Sequence, residues 1–405
     1  MKCTIALICL LYSFTVLADT TTTDETLSPY EELNFPDYGH PPPTEGEHHL
    51  PEKKLYGYDD GFYIHNKDNT FSLLFNGTVQ ARYLYSHVEG LDDYQRFEVA
   101  RTKLFFTGHF IDDSWEYVFG MLAGPNGTFA VDEGYIAKAF TPNTWVQAGQ
   151  FNVPLFREFL ISVTRQLAVE RTIVGQYFSV KDTNGVLVGT EQGPIKFTVS
   201  ANNGYFHPSA DENQSVEDEE FQDGNTYAFL TRLEYKPFGS WKELRDFNSP
   251  YQNEVALLFG IGAGYQRNNN TVTQDQEYTT GTADITLQGS GWSTFAMFAA
   301  NKNQKSDEPT VLGAVIQGGL YVDPQKHILE IFSRYEWGNG TTEEDLSLAT
   351  IGGNYFIDPK HLKLTVDFGY AFSAVDPIWA DNIGGWRAAE EHGQWVARTQ
   401  LQIVI

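Results

Sequence analysis

Apolar and polar side chains alternate one by one through most of the chain from about Gly61 to Ile405. They do so in segments of roughly ten residues separated by Gly, Asn, Asp and Pro. Segment 361–372 sets the pattern. Leu362, Leu364, Val366, Phe368, Tyr370 and Phe372 share one face, and Lys363, Thr365, Asp367, Gly369 and Ala371 the other. The terminal segment repeats it, with Trp395, Ala397, Leu401, Ile403 and Ile405 opposed to Arg398, Gln400 and Gln402. In 71–85, Phe71, Leu73, Phe75, Val79, Tyr83 and Tyr85 oppose Ser72, Asn76, Thr78, Gln80 and Arg82. In 97–110, Ala100, Leu104, Phe106 and Phe110 oppose Arg101, Lys103, Thr107 and His109. Segment 227–236 sets Tyr227, Phe229, Leu233 and Tyr235 against Arg232, Glu234 and Lys236. Segment 328–337 sets Leu329, Ile331, Tyr335 and Trp337 against Glu330, Arg334 and Glu336, with Phe332 and Ser333 out of phase. Successive side chains of a strand point to opposite faces, so each segment predicts a two-faced β-strand.

The connections alternate in size. Thr141-Pro142-Asn143, Asp323-Pro324-Gln325 and Asp358-Pro359 read as tight turns, whereas 206–224 and 302–309 are long and polar. Long two-faced strands with short turns at one end and long loops at the other describe a transmembrane β-barrel. In lipid every backbone N–H and C=O needs a partner, so a sheet can span only when closed. Aromatics near strand ends (Tyr83, Tyr85, Trp115, Trp145, Trp337, Tyr370) predict interfacial girdles. A soluble β-sandwich also alternates, but its inward face would be the apolar one, leaving no use for ionic residues at every second position.

The N-terminus adds a route. Lys2, the uncharged stretch Thr4 to Ala18 and the small residues Val16 and Ala18 before Asp19 form a secretory signal peptide at 1–18. Both cysteines, Cys3 and Cys9, fall inside it, so no disulfide framework is expected. Residues 19–58 carry Pro41-Pro42-Pro43 and the Thr run at 20–23 and read as a flexible segment; the barrel is expected over 59–405. His40, His48 and His49 lie in this segment without paired ligand spacing.

Charge and composition then narrow the classes. The 53 Asp+Glu against 27 Lys+Arg give a formal net charge of −26, which excludes a basic nucleic-acid footprint. No apolar run of about 20 residues follows the N-terminus, so helical spans are excluded. A mean hydropathy of −0.35 fits strands of which only half meets lipid. Asp211 to Asp223 carries seven acids and no base and reads as a solvated outer loop. Gly260-Ile261-Gly262-Ala263-Gly264 has no strand-to-helix context for a nucleotide and reads as strand glycines. No nucleophile elbow, metalloprotease or phosphate-loop motif occurs, so no enzyme activity, cofactor or metal is expected.

Pro154 to Tyr177 breaks the two-residue period, and Phe156, Leu160, Val163 and Leu167 would share one helical face. Its charges are Arg157, Glu158, Arg165, Glu170 and Arg171. Folded into a barrel, such a loop is a constriction whose charged ring decides which ions pass. The three arginines would face Glu158, Glu170 and the wall residues Arg101, Lys103 and Arg82. The full in-facing wall set is Arg82, Arg101, Lys103, Arg232, Glu234, Lys236, Glu330, Arg334, Lys363, Asp367 and Arg398.

A series of short motifs runs in order over about 61–405. It begins with Gly61-Phe62-Tyr63-Ile64 and Arg101-Thr102-Lys103 before Gly108. Asp132-Glu133-Gly134-Tyr135-Ile136 and Val146 to Pro154 follow, with Ser162 and Glu170-Arg171 in the adjoining loop. Later come Arg232 to Phe238, Gln317 to Tyr321, Arg334-Tyr335, Gly352 to Phe356 and Arg398 to Gln402. In their order and spacing these motifs resemble the phosphate-selective porin O/P family of bacterial outer-membrane channels. The sequence departs from that family at Asn152, where it usually has Lys, and at the closing Ile405, where an aromatic is common. The resemblance implies an antiparallel barrel of about sixteen strands, a homotrimer in outer-membrane lipid, and passive conduction of ions and small hydrophilic solutes. It leaves the sign of selectivity open. Two other readings compete: a secreted β-sandwich that binds glycans through exposed aromatics, and an outer-membrane barrel serving as a non-conducting adhesin or scaffold.

Overall fold

The computed structural model describes residues 55–58, 61–124, 129–180, 182–206, 226–251, 253–268, 276–306, 309–323, 326–339, 344–380 and 384–405. The signal peptide, nearly all of 19–58 with its histidines, and the acidic run Asp211 to Asp223 lie outside them.

Alternation becomes strand throughout. The strands are β1 (Tyr56–Tyr58), β2 (Phe62–His65), β3 (Ser72–His87), β4 (Tyr94–Phe110), β5 (Asp112–Ala123), β6 (Phe129–Thr141), β7 (Thr144–Asn152), β8 (Asp182–Gln192) and β9 (Ile195–Asn202). They continue as β10 (Thr226–Phe238), β11 (Ala256–Asn268), β12 (Gln276–Gly289), β13 (Trp292–Asn303), β14 (Val311–Tyr321), β15 (Leu329–Gly338), β16 (Leu346–Asp358), β17 (Leu362–Ala371) and β18 (Trp395–Val404). Each strand from β3 onward pairs antiparallel with the next, and β18 returns to β3 from Trp395↔His87 to Val404↔Thr78. The result is a closed barrel of 16 strands. Closure leaves no sheet edge, the condition for spanning lipid. Among the described residues no helix is long and apolar enough to cross a membrane.

The seam has an extension. Past β18 the backbones of Ile405 and Gly77 exchange two hydrogen bonds of 2.8 Å. Below that point β2 takes over the edge of β3, pairing Phe62↔Phe75 through His65↔Ser72, and β1 completes a hairpin with β2. β1 lies on the N-terminal side of the 58/59 boundary drawn from composition.

The two faces separate as the pattern demands. Phe97, Val99, Ile261, Ile331, Ile351, Val366, Phe368 and Leu401 are exposed on the outside, while Gln80, Arg232, Glu330, Asp367, Arg398 and Gln400 are buried within. Phe332 keeps its register and faces inward, and Ser333 outward. Two expectations change. Ala100 is not on the outer face: the β3–β4 register jumps from Gln80↔Arg101 to Ala81↔Val99, so Ala100 is a β-bulge. That extra residue resets the phase of β4. Trp145 is not a girdle residue. It is fully buried on the inner face against Phe151 and Leu187, where Gly189 leaves room for its ring.

Outer aromatics do gather toward the rims. Tyr85, Trp395 and Phe368 stack in sequence, with centroids 5.0 and 5.7 Å apart, toward the long-loop end. At the short-turn end Trp115 lies 5.8 Å from Phe110, and the Lys138 Nζ sits 4.9 Å from the Trp115 ring. Such amphipathic pairs suit the level where hydrocarbon meets headgroups.

Candidate functional site: the loop folded into the barrel

Residues 153–180, between β7 and β8, turn inward and fill the barrel. Val153, Leu155, Phe156, Phe159, Ile161, Leu167, Val174 and Phe178 are almost fully buried, and they join inward side chains such as Phe295, Met297, Val315, Phe332 and Leu348 in one apolar cluster. The expected single helical face through Phe156, Leu160, Val163 and Leu167 does not form. Turns and a short 3-10 helix (Val163–Arg165) replace it, Leu160 and Val163 stay half-exposed, and the only α-helix here is α1 (Ile173–Phe178). Thr172 caps α1, its hydroxyl accepting from the Gly175 N–H at 3.0 Å.

The loop is stiffened from within. Glu158 accepts from the Thr172 N–H (3.0 Å) and hydroxyl (2.5 Å), and the Arg171 guanidinium donates to the Ile161 carbonyl at 3.0 Å. Gln166 Nε2 donates to the Glu158 and Ile161 carbonyls at 3.1 and 3.0 Å. These bonds satisfy backbone groups that no strand ladder reaches.

The wall then holds the loop. Arg101 takes the Glu170 carboxylate in a fork, at 3.1 and 2.7 Å, and Arg82 bridges Glu170 to Glu98. Arg334 donates to the Glu170 carbonyl (2.9 Å), and Lys363 to the carbonyls of Thr164 (3.0 Å) and Gln166 (3.1 Å). Arg232 reaches the Leu155 carbonyl (3.0 Å) while paired in a fork with Asp284 at 2.8 and 3.0 Å. Wall acids take loop N–H groups: Asp367 from Val169 (2.9 Å) and Glu336 from Val174 (3.2 Å). Asp367 is itself gripped by Arg398 at 2.7 and 3.1 Å. Forked guanidinium–carboxylate bonds fix orientation as well as position. A side chain at Gly260 would collide with the Arg232–Asp284 pair, which gives the strand glycine a packing reason.

Glu170 sits on the loop and not on a strand. Burial would raise its carboxyl, but the adjacent Arg101 and Arg82 guanidiniums outweigh that and bring it down to about 2. It stays a carboxylate across the neutral range.

The wall set read from the sequence is buried inside the barrel apart from Lys236, which is half-exposed at the rim and donates to the Gly239 carbonyl at 2.6 Å. The partners differ from expectation. Lys103 pairs with Asp132 (2.9 Å), a wall acid on β6. Arg157 approaches Glu234 (3.8 Å), and Arg171 serves the loop's own carbonyls. Arg165 is half-exposed, and its carbonyl accepts from the Phe247 N–H at 3.3 Å. The wall set read from the sequence left out Asp284 and Asn354, and it gave no role to Glu336 and Gln402, although each follows the two-residue period of its strand and the last two were already placed on the polar face. Asn354 Nδ2 donates to the Leu167 carbonyl (3.0 Å), and Gln402 Nε2 to that of Thr164 (3.1 Å).

A closed sixteen-stranded antiparallel barrel with a long loop folded inside is the fold of outer-membrane barrel porins. No family model matches the chain, and no curated protein matches it. Solved structures do. An anion-selective porin from Comamonas acidovorans superposes with a TM-score of 0.56 at 10% identity, covering 83% of this chain and 100% of that one. OmpF of Salmonella typhi, in complex with daunomycin, gives 0.56 at 12% identity over 84% and 100% of the two chains. The outer membrane channel DcaP of Acinetobacter baumannii gives 0.53 at 13% identity over 84% and 99%. At these identities the likeness is one of fold.

Proposed function

We propose that this protein is an outer-membrane porin that lets ions and small hydrophilic solutes diffuse passively, with loop 153–180 as its constriction. One observation carries the reading: a loop from the long-loop end lies inside the barrel, fastened by charged wall residues at Glu170, Leu155, Thr164 and Gln166. A low-dielectric wall focuses the field of such groups, so small displacements of the loop change both size and charge of the passage.

Anions are the favoured solutes. The Arg82 and Arg101 guanidiniums already hold a carboxylate, and Lys363 spends its bonds on loop carbonyls. Displacing the loop releases Arg101 and Lys363 from their loop acceptors, while Arg82 keeps Glu98 and the wall pairs Arg398–Asp367 and Arg232–Asp284 remain neutralised. The resemblance to phosphate-selective porins points the same way, and it implies assembly as a homotrimer. The experiment is a reversal-potential measurement in planar bilayers under a salt gradient, on the native chain and on the chain lacking 158–170. Anion selectivity that grows, with larger unit conductance, on deletion supports the reading; cation selectivity in both refutes the anion preference.

A second reading has a specific observation behind it. The lumen side chains are packed nearly dry, including Glu158, Glu336 and Arg398 at 0 to 1% exposure. That favours a non-conducting barrel with a scaffold or adhesin role, and absence of current from every inserted variant would select it.

A further inference from the structure

One connection breaks the rule of the barrel's ends. At the short-turn end the links are Ile111, 142–143, 193–194, 290–291, 322–328 and 359–361. The link between β10 and β11 is far longer, 239–255. It turns in at Gly239, in a left-handed conformation (φ 83°). A short 3-10 helix, Glu243–Arg245, seats Leu244 against Ala256 and Leu258. The chain then enters the barrel, where Phe247, Asn248 and Ser249 are at most 5% exposed.

Inside, the segment is bound to wall and loop alike. The Phe247 ring packs 4.9 Å from Phe295 of β13, and the Ser249 hydroxyl donates to the Gly289 carbonyl at 2.6 Å. Asn248 Nδ2 donates to the Glu330 carboxylate at 2.5 Å. That carboxylate also accepts from Asn354 (2.9 Å), whose amide nitrogen donates to the Leu167 carbonyl of the loop. The Phe247 N–H donates directly to the Arg165 carbonyl at 3.3 Å. Two segments entering from opposite ends therefore touch near the short-turn end, where Glu330 and Gly289 lie at the ends of β15 and β12, and share a buried acid.

We infer that residues 239–251 are a second gate, in series with loop 153–180, and that Glu330 with Asn354 couples the two. The inference rests on the channel reading and assigns its regulation. Tight-turn ends of barrels need no such excursion, and burying polar Asn248 and Ser249 is costly unless they have partners. Those partners are present. Each gate blocks the same path, so removing one leaves the resistance of the other.

The test is unit conductance in planar bilayers for four chains: native, 158–170 deleted, 241–249 replaced by two glycines, and both changes together. Heat-modifiable gel mobility verifies each barrel. Gates in series predict a combined gain larger than the sum of the two single gains, by several-fold. If the loop deletion alone matches the double variant, 239–251 is no gate and the inference falls, while the channel reading stands. If no variant conducts although each inserts, the channel reading itself fails. A milder pair, Phe247→Ala and Asn248→Ala, leaves the strands intact. Both are expected to raise the frequency of openings, and gating identical to the native chain in both overturns the inference.

Discussion

The outer and inner faces of the same strands obey different rules. On β17, Val366 and Phe368 point out and need only an apolar surrounding. One residue away, Asp367 points in and has named partners: both sides of the Arg398 guanidinium and the Val169 N–H. Outside, residues are interchangeable within a class. Inside, charged residues such as Arg101, Arg232 and Asp367 are tied to counterparts from another strand or from loop 153–180. Buried inward charges are tolerated because they are paired, and an unpaired one is far more costly than an imperfect lipid contact.

The sharpest way to break this contrast is to remove one inner partner. Arg398→Met strands the Asp367 carboxylate in a buried site and is expected to cost about 3–5 kcal/mol in urea unfolding of the lipid-inserted barrel. A charge on the outer face comes next. Val366→Arg, at mid-strand, should cost about 2–4 kcal/mol. A cost near zero would show that this face does not meet hydrocarbon.

Glu170→Gln is smaller in stability, about 1–3 kcal/mol, because it loosens the loop and not the barrel. Its main readout is a larger or less steady bilayer current. The same clamp sets a pH dependence. The Glu170 carboxyl is held down at about 2, so its contribution is whole above the ordinary carboxyl value of about 4.5 and is lost as pH falls toward 2. Current is expected to be flat from neutral pH to about 5 and to rise below it; Glu170→Gln should remove that rise. Least of all, Lys138→Met at the rim should change stability by less than about 0.5 kcal/mol, since its ammonium lies where water is near. Val366→Arg and Lys138→Met together calibrate depth on the outer face.

The same contrast explains what could be read from the chain. Outer and inner assignments along 71–85, 227–236 and 361–372 follow from a two-residue period that needs no knowledge of partners. Ala100 escaped because a bulge leaves no mark in composition, and Trp145 because a girdle aromatic and a buried one look alike in sequence. The in-folding of 153–180 was visible as a lost period. Its pairings were not, since Glu170 meets Arg82 and Arg101 only after loop and wall are brought together from distant positions. Segment 239–255 went unnoticed although it too loses alternation between Phe238 and Ala256. What sets it apart from an ordinary loop is its length at an end where turns are short, which requires knowing the strand order first.

The central claim, that β17 has lipid on one side and the docked loop on the other, can be measured one residue at a time. Spin labels at cysteines placed singly from 364 to 371, in a chain with Cys3 and Cys9 replaced by serine, would be read for collision with lipid-soluble oxygen and with a water-soluble nickel complex. The account predicts oxygen access at 364, 366, 368 and 370, and shielding from both reagents at 365 and 367. Nickel access at 365 and 367 should appear when 158–170 is deleted. Absence of alternation, or inward labels that stay shielded without the loop, would contradict it.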